Sequence, residues 1–181
     1  MGTITNYGIP ISKDSIQEYS QEMTGWVSYA DDFYTESNPF VVAAGDNLLL
    51  PNNASIVLKD QIPVETDPVY HATLNKLSPD KNGDSYLLRI GFKRFTTSNT
   101  GYGEITLDIG QDEPILDIPV NFPRGSGAGN ARTFVTTELL FSGDDFVSNG
   151  GSLYYESVRG NTSIYDIRYL IARVHKSREV F

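Results

Sequence analysis

Two acidic pairs are the first residues whose types could do chemistry. Asp31 and Asp32, with Glu36 close behind, lie in YADDFYTESN, and Asp144 and Asp145 lie in FSGDDFVSNGG. Glycoside cleavage needs one carboxyl to donate a proton and a second to act as nucleophile or base across the sugar. Either pair could hold half of that arrangement, although solvated turn acids are the commoner explanation, since Asp in a turn needs only backbone hydrogen bonds. Asp80, Asn82 and Asp84 in SPDKNGDSY echo a calcium loop, but Gly91 stands where the bidentate Glu of an EF-hand belongs. A looser carboxylate site stays open there.

Other reactive groups are scarce. His71 and His175 are the only histidines and lie far apart in sequence, and no cysteine is present, which removes thiolate nucleophiles, disulfides and Cys-bearing zinc sites. No G-x-S-x-G nucleophile elbow occurs. NFPRGSGAGNAR places Gly125, Gly127 and Gly129 as an anion-cradling loop would, yet it lacks the Lys-Ser/Thr of a phosphate loop and leads into a strand-like segment instead of a helix. Its Arg124 and Arg132 suit contact with an acidic partner surface. The sequence therefore announces no reaction, and no catalytic residue, metal ligand or cofactor is singled out.

The elements that must position these residues read as strands. In GYGEITLDIG, Ile105, Leu107 and Ile109 share one face, and in EPILDIPVNF, Leu116, Ile118, Val120 and Phe122 share another, so the two predict a hairpin with one wet face. The outward Pro119 predicts an edge position, because proline has no amide to give a neighbour. Tyr86, Leu88, Ile90 and Phe92 alternate in SYLLRIGFKRF, and Val135, Leu139 and Phe141 share a face of RTFVTTELLF. GWVSYAD, PFVVAAG, NLLLP, ASIVLKD and SLYYESV add further strands between Gly, Asn and Pro turns. The expected fold is all-β, an antiparallel β-sandwich of jelly-roll type. DPVYHATLNKLSPDKNGD reads as a long connection.

The 181 residues fit one domain, 23–181, behind an N-terminal arm over residues 1–22. The net charge of -9 argues against nucleic acid as a partner. No stretch approaches the roughly 18 apolar residues of a membrane span, and the first residues carry no secretory pattern. The 11 Tyr and 9 Phe include pairs such as Phe33-Tyr34 and Tyr154-Tyr155 that could stack on sugars, but aromatics are also the ordinary material of sheet cores and interfaces.

SIYDIRYLIARVHK, residues 163–176, carries both a helical and a strand period. Its β-branched and aromatic content and its position after Gly160-Asn161 predict the closing strand. With Tyr165, Ile167, Tyr169 and Ile171 facing the sandwich, Ile164, Asp166, Arg168, Leu170, Ala172 and Val174 face outward. That outer face is too apolar for water, and a subunit interface is the expected cover.

Three blocks, GWVSYADDFYTESNPFVVAAGDNLLLPNN, YLLRIGFKRF and GGSLYYESVRGNTSIYDIRYLIARVHK, together resemble tailed-bacteriophage virion proteins with a trimeric jelly roll similar to the tumour-necrosis-factor and complement globular-head folds. The resemblance implies a non-enzymatic homotrimer made in the host cytoplasm and carried on the virion, with no catalytic residue to carry over. The short chain favours a capsid decoration or cement protein on the outer capsid surface, bound to the major capsid protein. The alternative is a receptor-binding or adhesin knob of a tail or fibre that recognises a host glycan. Candidate partner contacts are Tyr7, Ile9, Ile11 and Ile16 of the arm, with Arg124 and Arg132; no membrane contact is expected.

Overall fold

The structure, a computed structural model, describes residues 26–60, 69–98, 101–111, 114–121 and 130–177. The candidate contacts Tyr7, Ile9, Ile11, Ile16 and Arg124 lie outside these residues. Period-two patterning becomes strand nearly everywhere: β1 Trp26–Ala30, β2 Phe40–Val42, β3 Asn47–Leu49, β4 Ile56–Asp60, β5 Tyr70–His71, β6 Lys76–Leu77, β7 Ser85–Thr96, β8 Tyr102–Asp108, β9 Leu116–Asn121, β10 Arg132–Phe141, β11 Ser152–Arg159 and β12 Thr162–His175.

The larger sheet has six strands in the order β10-β7-β12-β1-β4, with β2 also pairing β12, and the smaller has four in the order β3-β11-β8-β9. All the pairings are antiparallel. Each sheet turns one face inward, so the core forms from alternate residues of both. Leu88, Ile90, Ile105, Leu107, Val120, Tyr155 and Ile167 meet there with no exposed surface. Burying an aliphatic side chain of this size contributes about 1.5 to 3 kcal/mol. The expected β8–β9 hairpin is present, and Pro119 sits opposite Glu104 on the edge strand of the smaller sheet. The fold is the antiparallel sandwich that the patterning called for.

The closing strand departs from simple alternation. Between Tyr165 and Arg168 its pairing with β7 slips, so that Tyr165 opposes Lys93 while Arg168 opposes Gly91. Three steps along β12 match two along β7, which is a β-bulge, and Asp166 takes a left-handed φ of 53° to make it. An extra residue reverses the facing of everything on one side of it. Ile164, expected outside, is therefore a core residue with no exposed surface. Tyr165, expected inside, is buried beyond the core cluster with the Lys93 ammonium over its ring at 5.7 Å. Residues 31–39 loop out opposite the bulge, tied by Asp31 N to Ile167 O at 2.9 Å and Asp166 N to Tyr34 O at 3.1 Å.

Two segments expected as irregular carry structure of their own. Asp144–Asn149 of FSGDDFVSNGG is a short helix, α1, anchored by the buried Phe146 and ended where Gly150 takes φ 67°. The long connection contains the β5–β6 hairpin around a 3-10 turn at Ala72–Leu74 and buries Tyr70 and Leu77. Tyr70 Oη donates to Asn52 O at 2.6 Å, which ties this hairpin to the loop after β3.

Candidate functional site

The face of the larger sheet that points away from the core is the surface most in need of a partner. Strand register arranges it in rows. Leu139, Leu87, Ala172 and Trp26 form one row across β10, β7, β12 and β1, and the adjacent row is Thr137, Arg89, Leu170, Ser28 and Leu58. A third row runs Val135, Gly91, Arg168, Ala30 and Ile56. The expected grouping of Val135, Leu139 and Phe141 is correct, but their shared face is this outer one, where they are 48%, 66% and 64% exposed. Ile56 and Leu58 on β4 extend the apolar area to the opposite edge, at 50% and 58% exposure. Water-facing sheet surfaces normally carry polar residues, so an apolar row four strands wide is an unmatched surface.

The six sequence-derived interface candidates divide accordingly. Arg168, Leu170, Ala172 and Val174 do share the outer face of β12, and Asp166 reaches it from the bulge. Ile164 does not, for the reason given above. Arg132 is exposed at the first position of β10.

The charged part of this face lies around the bulge. Lys93 Nζ meets Asp166 Oδ2 at 2.9 Å, and that contact raises the Lys93 amine above its ordinary pKa. Ser28, Arg89, Gly91, Lys93, Arg168 and Leu170 line a shallow groove of ≈ 420 Å³ there. A second cleft of ≈ 430 Å³ opens at the β9 and β10 edge of the sandwich, between Ile115, Leu139, Phe141 and the acids Asp144 and Asp145. On the far side of the molecule, Glu104 and Glu156 stand opposite each other on the outer face of the smaller sheet, with Asp117 nearby. The two outer faces thus differ in charge as well as in polarity.

The carboxylates considered for glycoside chemistry are not brought together. Asp31 accepts from the Tyr34 and Asn53 amides at 2.7 and 2.8 Å, and the Asn53 side chain holds the Asp32 carboxyl below its usual range. Asp144 and Asp145 instead accept from Asn82 and Gln111. Ala30 is level with Val135, and Phe141 lies six residues further along β10. The two pairs are therefore separated by roughly 20 Å of strand, whereas a glycosidase pair needs about 5 to 9.5 Å.

Asp84 turns inward, to Tyr86 Oη at 3.1 Å, the Ser177 amide at 2.7 Å and Arg173 at 3.5 Å, so the calcium-loop spacing gathers no ligand set. No group of three metal-ligating side chains occurs among the described residues. Among these residues no helix is long and apolar enough to cross a membrane. Arg94 is a buried cation on the inner face; it donates to Val120 O at 3.0 Å and to Asn121 O, and burial lowers it to about 10, so it stays charged at neutral pH.

With this geometry in hand, comparison with known proteins settles the fold type. No protein-family model matches the chain, and no curated protein matches it in sequence. Among solved structures the chain is similar to the Eiger tumour-necrosis-factor protein of S. frugiperda, at 12% identity and a TM-score of 0.51, over 87% of this chain and 98% of that one. It is also similar to the PRD1 vertex protein P5, at 16% identity and a TM-score of 0.49, over 84% of this chain and 74% of that one. An enzymatically active domain of the bacteriophage CBA120 tailspike protein 4 matches at 16% identity and a TM-score of 0.35, over 80% of this chain and 19% of that one. The fold is a jelly roll of the tumour-necrosis-factor type.

Proposed function

We propose that the protein is a bacteriophage head decoration protein, a non-enzymatic homotrimer that binds the outer capsid surface and reinforces it. The observation that carries this reading is the unmatched apolar face of the larger sheet. Trp26, Leu87, Leu139 and Ala172 form a continuous surface of the kind that a subunit contact covers. The three sequence blocks that resemble trimeric phage virion proteins supply the symmetry and the setting.

An apolar surface that spans a face and an edge favours a ring. It runs from the outer face around β12 through Leu139 and Phe141 to Ile115 at the β9/β10 edge. Packing the edge of one copy on the face of the next is a heterologous contact, which closes into a cyclic oligomer when the rotation permits. Attachment to the capsid would then be multivalent, so modest contacts from each subunit add to a long-lived complex. The net charge of -9 keeps such a crowded surface soluble.

The test is to add purified protein to undecorated phage heads and measure occupancy and survival on heating. Saturable binding with a raised disruption temperature is expected. No binding to heads, together with adsorption to host cells, would overturn the reading in favour of a receptor-binding knob.

A further inference from the structure

The charged half of the outer face has a hollow at its centre that its own residues do not fill. Gly91 lies in the middle of β7, outside the left-handed region, and a Cβ added there would meet only Phe134 O and a Val135 methyl, both at 3.8 Å. Packing leaves room for a side chain at this position, which stands opposite Arg168 at the edge of the β12 bulge, and glycine in a strand interior marks such a bulge or the close approach of another chain or ligand. Here the missing side chain gives the groove its depth.

Three cations surround the hollow. Arg89 and Lys93 flank Gly91 on β7, and Arg168 is its partner on β12. Lys93 is neutralised by Asp166. Arg89 and Arg168 have no ion pair or side-chain hydrogen bond among the described residues. They are diagonal cross-strand neighbours, with Cβ atoms about 7 to 8 Å apart. Two like charges that close, in a chain with 23 acids and 14 bases, call for an anion between them. The guanidinium fork fits a carboxylate in particular.

The sequence that leads into Trp26 carries a matching segment. Asp14, Glu18 and Glu22 recur at every fourth residue, with Ile16, Tyr19 and Met23 interleaved, and Lys13 to Thr24 holds one base and three acids, a net charge of 1 − 3 = −2. Trp26, four residues after Glu22, is already in register on the outer face beside Ala172. Four extended residues reach about 13 to 14 Å, and the groove begins at Ser28, roughly 7 Å along β1 from Trp26. We propose that the Asp14–Glu22 stretch docks in this groove as an acidic strap, its carboxylates held by Arg89 and Arg168 and its apolar side chains laid over Leu170 and Val135. This goes beyond the capsid reading and does not depend on it.

The absence of native cysteine allows a direct test in the full chain. Gln21→Cys with Thr137→Cys, the partner of Arg89 on β10, puts one thiol on the strap and one beside the groove without touching a charge. Gln21→Cys with Thr106→Cys, on the outer face of the smaller sheet, is the control. Under mild oxidation the groove pair is expected to cross-link about tenfold faster than the control, since a disulfide forms only at close approach. Arg89→Gln with Arg168→Gln, or high salt, should remove most of that advantage. Gly91→Val should remove it with the melting temperature unchanged or raised, which separates filling the hollow from misfolding. A monomer band places the strap on its own subunit and a dimer band on a neighbour, and either supports docking. Equal rates for both pairs, or a groove cross-link indifferent to Gly91→Val and to the arginine changes, would overturn the proposal while leaving head binding to be judged by its own assay.

Discussion

Lys93 and Asp166 meet at 2.9 Å across β7 and β12 where β12 gains its extra residue. The pair is half exposed, so the bond itself contributes little. The conformation of Asp166 matters more. At φ 53° a side chain with a branched Cβ crowds its own carbonyl, at a cost of about 1 to 2 kcal/mol. Asp166→Asn and Asp166→Gly should melt within about 0.5 kcal/mol of the parent, because both residue types accept this region. Asp166→Val should lose about 2 kcal/mol in urea unfolding. Equal stability of Val and Gly would show that the bulge is not imposed at this residue.

That bulge also marks what could be read from the sequence and what could not. Strand identity was legible because alternation depends only on neighbours along one chain: β7, β8, β9 and the inward half of β12 after the bulge all follow it. The facing of Ile164 and Tyr165 was not legible, because the slip is decided by how β12 meets β7 and the 31–39 loop, and SIYDIRYLIARVHK carries no mark of it. Val135, Leu139 and Phe141 share a face as their alternation predicts, but nothing local says which face of an edge strand will be covered. Gly91 was the missed signal of the site, a lone glycine in the middle of a long strand. The Asp144–Asn149 helix was hidden by its brevity and is held by Phe146 in the core.

Two glycines, one in each sheet, should respond in opposite ways to the same change. A Cβ at Gly103 would fall 2.6 Å from Glu156 O and against the Tyr155 hydroxyl, both fixed parts of β11. Gly103→Ala is expected to cost about 2 to 4 kcal/mol through overpacking and displaced backbone. Gly91→Ala has room and should be neutral or slightly stabilising, since it removes unfolded-state entropy. Thermal melts of the two variants side by side check both signs, and equal losses would mean that Gly91 is required by the strand itself.

Alkaline pH should unfold the protein through its buried tyrosines. Burial raises Tyr29, Tyr70, Tyr155 and Tyr169, and pushes Tyr86 up to about 12 from an ordinary value of 10. A group whose folded pKa is raised holds its proton longer in the folded state. Its stabilising effect is complete below pH 10 and is lost as pH climbs toward the folded value, for Tyr86 between about 10 and 12. Each such group contributes a slope of up to about 1.4 kcal/mol per pH unit in that window. Arg94, lowered by burial to about 10, acts in the opposite sense, because the folded state releases its proton first. One arginine set against five tyrosines leaves a net loss. The urea midpoint should be flat from near neutral pH to about 9 and fall steeply above about 10; a midpoint that holds through pH 11 would contradict the burial of these hydroxyls.

A single charge on the apolar row should separate assembly from folding. Ala172 lies between Trp26 and Leu87 on the outer face and is partly open in the lone subunit. Glutamate there meets water in a monomer, so Ala172→Glu should change unfolding free energy by no more than about 0.5 kcal/mol. In a subunit contact the same carboxylate is buried without a partner, at a cost of several kcal/mol per copy. Symmetry repeats that cost in every subunit of a ring. Light scattering should therefore give the mass of three chains for the parent and of one chain for the variant, with the two circular dichroism melts superimposing. A variant that keeps the parent mass would place the subunit contact elsewhere than on this face.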